Sequence, residues 1–355
     1  RSLLDAAALL GLRRAGAVSP GGGCRLLRCA DGWIALNLPR ADDRELLPAW
    51  LELEQVPDDA ALATCVASRA GAGLVERGRL LGLALALSRE PKQDPGAWFS
   101  VAAQGPALNM PTHRRPRVVD LSSLWAGPLC GHLLLRMGAE VIKLESPQRP
   151  DGARQGEAAF FDLLNAGKRS VAIDPRTAQG RGQWLALLRS ADIVIEGSRP
   201  RGLRQLGIDA EALLRERPGL TWLAVSGHGR GEPQEQWLGY GDDAAVEAGL
   251  SHLMREATGL SLFAGDAIAD PLTGLHAALA AWAGWLQGGG RLVAVSLAGV
   301  MRHCIAFDLP ASTQALRQRQ AKWTDLALRA GIAAPAARQP QASAVALGAD
   351  TDEVL

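Results

Sequence analysis

The chain has 355 residues, 48% of them hydrophobic and 21% charged, with a formal net charge of +1. That length exceeds one ordinary core and fits two domains, and the composition is that of a globular chain rather than a disordered one. Near-zero charge supplies no global field for nucleic acid or a membrane surface, and no run of about 18 uninterrupted apolar residues offers a membrane span.

The opening stretch, RSLLDAAALLGLRRAGAV, is amphipathic and lacks a small-residue cleavage site behind a long apolar core. It reads as helix rather than secretory signal, and its first residue, an arginine, leaves room for residues upstream. CRLLRC and WIALNL alternate like strands around the hairpin-forming pair Asp31-Gly32. ADDRELLPAWLELE and DDAALATCVASRAGAGLVERG have acidic first turns and predict helices, and LGLALALS predicts a buried strand. Residues 1–90 are therefore expected to form a small α+β domain. The proline-rich, aperiodic stretch 91–116 is expected to be a linker, with Trp98 and Phe99 packing it down.

From residue 117 the pattern changes. RVVDLS, AEVIKLES, KRSVAID, ADIVIEG, LTWLAVSGHG and RLVAVSL read as short apolar strands. GPLCGHLLLRMG, GRGQWLALLRS and DAEALLRERPG read as helices between them, and two long helices are expected near 242–256 and 271–287. Such alternation implies a doubly wound parallel sheet over 117–355, closing with the helix TQALRQRQAKWTDLALRAG and an Ala/Pro/Gln-rich tail. Five cysteines, Cys24, Cys29, Cys65, Cys130 and Cys304, make no CxxC and are odd in number, so reduced thiols and a cytoplasmic setting are expected. The six histidines lack ligand spacing, and no metal site is expected. No GxGxxG follows the first strand of the sheet. Gly227, Gly229 and Gly231 do follow a strand, but EPQEQW rather than a helix comes next, which argues against a dinucleotide.

Five clauses in order carry a more specific signal. The first, PRVVDLSSLWAGPLCGHLLLRMGAEVIKLESPQRPD, contains Asp120, Ala126-Gly127-Pro128, Met137-Gly138-Ala139, Val141-Ile142-Lys143 and Glu145. FFDLLNAGKRSVAID follows, with Phe160, Asn165, Lys168, Arg169, Ser170 and Asp174; then come ADIVIEGSRPRGLRQLGID, LTWLAVSGHGRGEP and ADPLTGLHAALAAWAGWLQGGGRLVAVSL. Across residues 117–305 this series resembles the class III CoA-transferase family, to which formyl-CoA transferase, carnitine CoA-transferase and alpha-methylacyl-CoA racemase belong. ALGADTDEVL is similar to the family's closing clause, and residues 18–90 resemble its smaller domain. That domain normally follows the large one, so the chain reads as circularly permuted or as one half of a tandem pair.

The resemblance implies a Rossmann-like large domain, an interlocked homodimer, acyl-CoA and carboxylic acids as substrates, and no permanently bound cofactor. It places the catalytic aspartate on Asp270, beside Pro271 at the predicted N-terminus of a helix, where N–H groups and the dipole stabilise negative charge. By itself that position reads as a helix cap, and Asp266, Asp242 and Asp243 are the competing carboxylates. CoA-binding positions fall on Trp125, Ala126, Ile173 to Arg176, Gly197, Ser198, Arg199 and Tyr240, with Arg176 and Arg199 as candidate phosphate partners. Gly21-Gly22-Gly23 reads either as a flap over the thioester or as a hinge. The chain departs from the family at Gly197, Ser198 and Gln205, where Arg204 is a neighbouring substitute, and at Tyr240-Gly241, where racemases place a His-Asp pair. Racemisation needs two opposed bases. A CoA-transferase is therefore the expected function, with a racemase or isomerase on the same fold, or a non-catalytic acyl-CoA-binding protein, as the alternatives.

Overall fold

The computed structural model describes residue 3 and residues 5–109, 114–331 and 338–355. Positions 110–113 of the expected linker, 332–337 of the expected large domain, and 1, 2 and 4 of the opening helix lie outside the described residues. The chain forms two compact units, each assembled from three stretches. The first comprises Arg1–Trp98, Gln236–Ala269 and Leu297–Ala337; the second comprises Phe99–Glu235, Asp270–Ser296 and Arg338–Leu355.

The first unit opens with a short helix, α1 (Asp5–Leu9), then the hairpin β1 (Cys24–Cys29) and β2 (Gly32–Asn37). The hairpin forms where it is expected, but its turn residues are Ala30-Asp31 rather than Asp31-Gly32: Cys29 pairs with Gly32, which already belongs to β2. Leu47–Leu51 (α2), Asp59–Ala67 (α3) and Gly71–Leu80 (α4) lead to β3 (Ala84–Leu87), which pairs antiparallel with β2. The stretch expected as one helix over 58–78 is two, because Asp31 Oδ1 accepts the Gly71 N–H at 2.8 Å and starts a new helix there. Ile34, Leu36, Leu47, Trp50, Leu62 and Leu85 are the centre of this core. The Trp50 indole N–H is satisfied by the Leu74 carbonyl at 2.8 Å, so the largest buried ring leaves no orphan donor.

The second unit begins inside the expected linker. Phe99–Gln104 forms β4, an antiparallel edge strand. The parallel run follows in chain order: β5 (Arg117–Asp120), α5 (Ala126–Arg136), β6 (Glu140–Glu145), α6 (Ala158–Asn165), β7 (Arg169–Ala172), α7 (Ala178–Ser190), β8 (Ile193–Glu196), α8 (Pro200–Gln205), α9 (Ala210–Glu216) and β9 (Thr221–Ser226). The chain then gives α10 (Gly241–Glu247) and α11 (Leu250–Thr258) to the first unit before returning through α12 (Ala269–Leu286) and β10 (Arg291–Ser296). It ends with α13 (Leu297–Phe307) and α14 (Thr313–Ala330) in the first unit and α15 (Thr351–Val354) in the second.

The large sheet runs β4-β10-β9-β8-β5-β6-β7, separate from the three-stranded antiparallel sheet β1-β2-β3. Counted along the parallel run alone, the order is that of the doubly wound sheet, with two halves diverging from the neighbours β5 and β8. Its inner strands are near-continuous apolar runs because both faces are covered: every residue of β8 and the first five of β9 are buried. Val119, Ile142, Val194, Trp184, Leu188 and Trp222 form one contiguous core against the sheet.

The helix expected over 242–256 is broken. Gly249 adopts φ 104°, and a Cβ there would lie 2.7–2.9 Å from Pro91, so the break needs glycine on two counts.

Candidate active site

Parallel sheets place ligands outside the carboxyl ends of their strands, where the winding direction reverses. Here that point lies between β5 and β8. Their exit loops touch: a Cβ on Gly197 would sit 3.1 Å from the Ser122 Cβ and 3.3 Å from its Cα. The loop after β5, residues 121–125, leads into α5, whose N-cap Trp125 makes no side-chain cap. The start of α5 lies against this loop: a Cβ on Gly127 would sit 2.2 Å from the Ser122 Cβ and hydroxyl oxygen.

An ionic framework holds that loop. Lys168 Nζ is buried and donates to Asp120 Oδ2 at 2.9 Å, to the Pro128 carbonyl at 2.8 Å and to Asn165 Oδ1 at 3.0 Å. Asp120 Oδ1 accepts the Ser122 N–H at 3.0 Å and its hydroxyl. Lys143, equally buried, pairs with Asp151 at 2.8 Å and donates to the Ser122 carbonyl at 2.9 Å. Asp151 Oδ1 in turn accepts the Leu124 N–H at 2.9 Å. Leu124 has φ 69°, a left-handed conformation that costs a non-glycine residue about 1–2 kcal/mol, and the Asp151 bond holds it there. Glu145 accepts the Asp151 N–H at 2.9 Å and pairs with Arg154 at 2.6 Å, extending the network. Burial alone raises the Asp120 pKa, but the charges of Lys168 and Lys143 hold it below the usual carboxylate range.

Asp270 lies in the first turn of α12. The helix begins at Ala269, one residue before the expected cap position, so Asp270 is helical, and Pro271 sits where a missing N–H goes unnoticed. One turn on, Gly274 presses against α5: a Cβ there would come 2.8 Å from the Ala126 carbonyl oxygen and 2.9 Å from Leu129. Residues four apart share a helix face, so Asp270 stands on the face that meets the start of α5.

Trp125 and Ala126 thus open α5, where the Ala126 carbonyl meets Gly274, and Gly197 meets Ser122 in the loop before it. Trp125 is buried with its ring edge-on to Phe160, at a centroid separation of 5.0 Å. Ser198 and Arg199 are exposed on the loop leaving β8, and Arg199 is the N-cap position of α8. Ile173 and Arg176 leave β7, two strands from β5. Ile173 is a core side chain whose N–H donates to the Glu145 carbonyl at 3.0 Å and whose carbonyl accepts the Trp184 indole at 3.1 Å. The Arg176 guanidinium is exposed and paired with Asp174 at 2.9 Å, which raises its pKa.

Tyr240 belongs to the first unit, where it caps α10. The competing carboxylates are there too. Burial chiefly pushes the Asp242 carboxyl up to about 7, reinforced by Asp266 and Asp243 although the Ala267 N–H donates to it at 2.8 Å. Asp266 is also raised by burial and accepts the Gly21 N–H at 2.9 Å, which ties down the glycine triplet. Asp243 accepts from the Asn37 amide at 2.8 Å and from the Tyr240 N–H at 3.0 Å.

Ser122, Leu124, Asp151 and Arg154 had no role assigned from sequence. For Ser122 and Asp151 the signal lay inside the first clause, in the run of serines after a strand ending in Asp and the Pro-Asp that closes it.

A sequence profile described as CoA-transferase family III matches residues 116–345. Succinate–glutarate CoA-transferase from Agrobacterium fabrum is 34% identical over 185 residues, covering 47% of this chain and 46% of that protein. Succinyl-CoA–D-citramalate CoA-transferase from Chloroflexus aurantiacus is 32% identical over 192 residues, covering 51% and 48%. A hypothetical protein from Mycobacterium tuberculosis superposes with a TM-score of 0.51 at 32% identity, over 57% of this chain and 59% of that one. A CAIB/BAIF family protein from Brucella suis gives 0.50 at 28% identity, over 65% and 60%. The chain spans about half the length of the curated relatives it matches.

Proposed function

Because this chain belongs to CoA-transferase family III, we propose that it moves CoA from one carboxylic acid to another, with Asp270 as the nucleophile. The observation that supports the reading is the seating of Gly274, one helical turn after Asp270, on the Ala126 carbonyl at the start of α5. The relatives named above act on succinate, glutarate and D-citramalate, so small dicarboxylic acids are the substrates we propose. CoA enters and leaves as a substrate rather than a resident cofactor.

The Asp270 carboxylate attacks the donor thioester carbonyl, the C–S bond breaks, and a mixed anhydride and CoA thiolate result. The thiolate attacks the aspartyl carbonyl of that anhydride, releasing the donor acid and leaving an aspartyl-CoA thioester. The acceptor carboxylate attacks this thioester and frees the thiolate again, which attacks the acceptor carbonyl of the second anhydride. Acyl-CoA leaves and Asp270 is regenerated. Each step exchanges one activated acyl bond for another, so the thioester energy is kept from water. Trp125, Ala126, Gly197, Ser198 and Arg199 line the CoA path in this reading, with Ile173 and Arg176 further along it. The working form is a homodimer, in the cytoplasm, where all five cysteines persist as the thiols they are here.

Asp270→Asn tests the chemistry. The amide keeps the shape but cannot form the anhydride, so we expect turnover to fall to background, with stability changed by about 1 kcal/mol or less. Incubation with a productive acyl-CoA and then hydroxylamine should mark the peptide holding Asp270. Wild-type turnover in the variant rules out the proposed nucleophile. Binding without turnover or adduct over a broad acid panel replaces catalysis with acyl-CoA binding, and deuterium entry at the α-carbon identifies an isomerase instead.

A further inference from the structure

The first unit holds a cavity of about 300 Å³ lined by Gly22, Gly23, Arg25, Leu38, Arg40 and Arg44. Three half-exposed guanidinium groups around one small space repel one another modestly and favour an anion between them. Among the described residues, two carboxylates accept hydrogen bonds from them, and Asp42 adds a negative charge near Arg40. Asp59 serves two of the three, accepting from Arg25 at 2.6 Å and from Arg44 at 3.1 Å. Asp43 answers Arg40, whose Nε donates to it at 2.7 Å and whose Nη2 donates to the Gly82 carbonyl at 2.8 Å. Arg25 and Arg44 share one carboxylate and offer it one N–H each. A guanidinium carries five donors, so each of these two retains several for a further acceptor.

The walls suit a small anion. Gly22 and Gly23 bring backbone to the cavity with no side chain, and nothing lies within 4 Å of where a Gly22 Cβ would stand. Leu38 and Pro39 give an apolar surface for the carbon part of a ligand. The volume is at the lower end for small-molecule sites.

We infer that the Arg25–Arg40–Arg44 cavity binds a small polyanion through bidentate guanidinium–oxyanion pairs, Arg25 and Arg44 being the principal contacts. The chemistry it recognises, two or more oxyanion groups on a compact skeleton, is shared by phosphate esters and short dicarboxylates. This inference is independent of the proposed transferase reaction, since it concerns binding in the first unit and requires no turnover.

Titration of the intact protein with pyrophosphate and, separately, with succinate at low salt tests it by calorimetry. We expect saturable binding of at least one, unmatched by chloride at equal ionic strength; pyrophosphate alone identifies a phosphate site and succinate alone a dicarboxylate site. Arg44→Gln and Arg25→Gln should each weaken binding about tenfold or more. Asp59→Asn removes the carboxylate that competes with the ligand and should tighten binding several-fold, an effect opposite in sign to any general loss of structure. Should the arginine variants fail to fold, amide shifts of Gly22 and Gly23 on titrating the unaltered protein serve instead. No saturable binding, binding unchanged by both arginine substitutions, or titration that leaves both glycine amides unmoved overturns the inference.

Discussion

Lys168 and Asp120 show how a motif residue and its task come apart. Both were legible as parts of conserved-looking wording, yet sequence spacing could not say that they meet across 48 positions to hold the loop before α5. Breaking one side of such a pair strands the other charge in the core. Lys168→Met should therefore cost about 3–5 kcal/mol in chemical denaturation. Because the Asp120 pKa is depressed on folding, its contribution is present above the ordinary carboxylate value near 4 and is lost as pH falls through the depressed one. The variant should accordingly lose part of the wild type's steep stability change below about pH 4. Asp242 has the opposite sign. Its folded value near 7 against 3.8 means that the folded state holds the proton more tightly. Its contribution is greatest below about pH 4, declines as pH rises toward 7, and is constant beyond. Asp242→Asn should flatten that decline and raise stability at pH 8 by about 2 kcal/mol or more. A wild-type denaturation midpoint that does not fall between pH 4 and 7 contradicts this assignment.

At the scale of elements, apolar strands were the legible part, because a strand buried on both faces has few alternatives to an unbroken apolar run. The β1–β2 hairpin, with its turn one residue before the expected pair, and β5, β6, β8, β9 and β10 all stand where the sequence indicates. Helix ends were less legible, since tertiary contacts set them: Pro91 decides the break at Gly249, and Asp31 decides the restart at Gly71. Strand β4 was hidden because its side chains are mostly exposed, leaving no apolar pattern; it is held by backbone pairing to β10. The contact of α12 with α5 depends on one missing methyl group. Alanine inside a helix usually gains up to about 1 kcal/mol over glycine. At Gly182 in α7, where nothing lies within 4 Å of the added Cβ, Gly182→Ala should realise about 0.5–1 kcal/mol of that gain. At Gly274 the methyl meets a backbone oxygen at 2.8 Å, so Gly274→Ala should instead destabilise by about 1–3 kcal/mol. If Asp270 is the nucleophile, turnover should fall further than stability does, since about 1 Å of displacement in a reacting group is enough to cost 10²-fold. Equal stabilisation by both substitutions contradicts the close contact.

At the scale of the whole molecule, the doubly wound order was readable from strand–helix alternation, but the path of the chain was not. Alternation says nothing about the departures of residues 236–269 and 297–337 into the first unit. Those departures leave α14 packed along α11 but only half-covered. It has 18 residues, none of them buried, and keeps Trp323 at 64% exposure and Leu328 at 81%. An isolated helix of this length is marginal in water, and most helical stability in proteins comes from a covered apolar face. Arg317, which donates to the Glu256 carbonyl of α11 at 2.9 Å, and Arg319, which donates to the Asp308 carbonyl at 2.6 Å, tie it down, while Trp323 and Leu328 stay exposed. Phe307, at the end of α13, is 88% exposed as well. The homodimer proposed above gives these residues a partner, because a second copy presents the same apolar side chains and closes the assembly by two-fold symmetry. Light scattering at micromolar concentration should then return about twice the 37.4 kDa chain mass. Trp323→Glu combined with Leu328→Glu should shift it toward the single-chain value without loss of the sheet's circular dichroism, since neither side chain belongs to a core. A single-chain mass for the unaltered protein refutes the dimer. A dimer indifferent to both substitutions removes α14 from its interface.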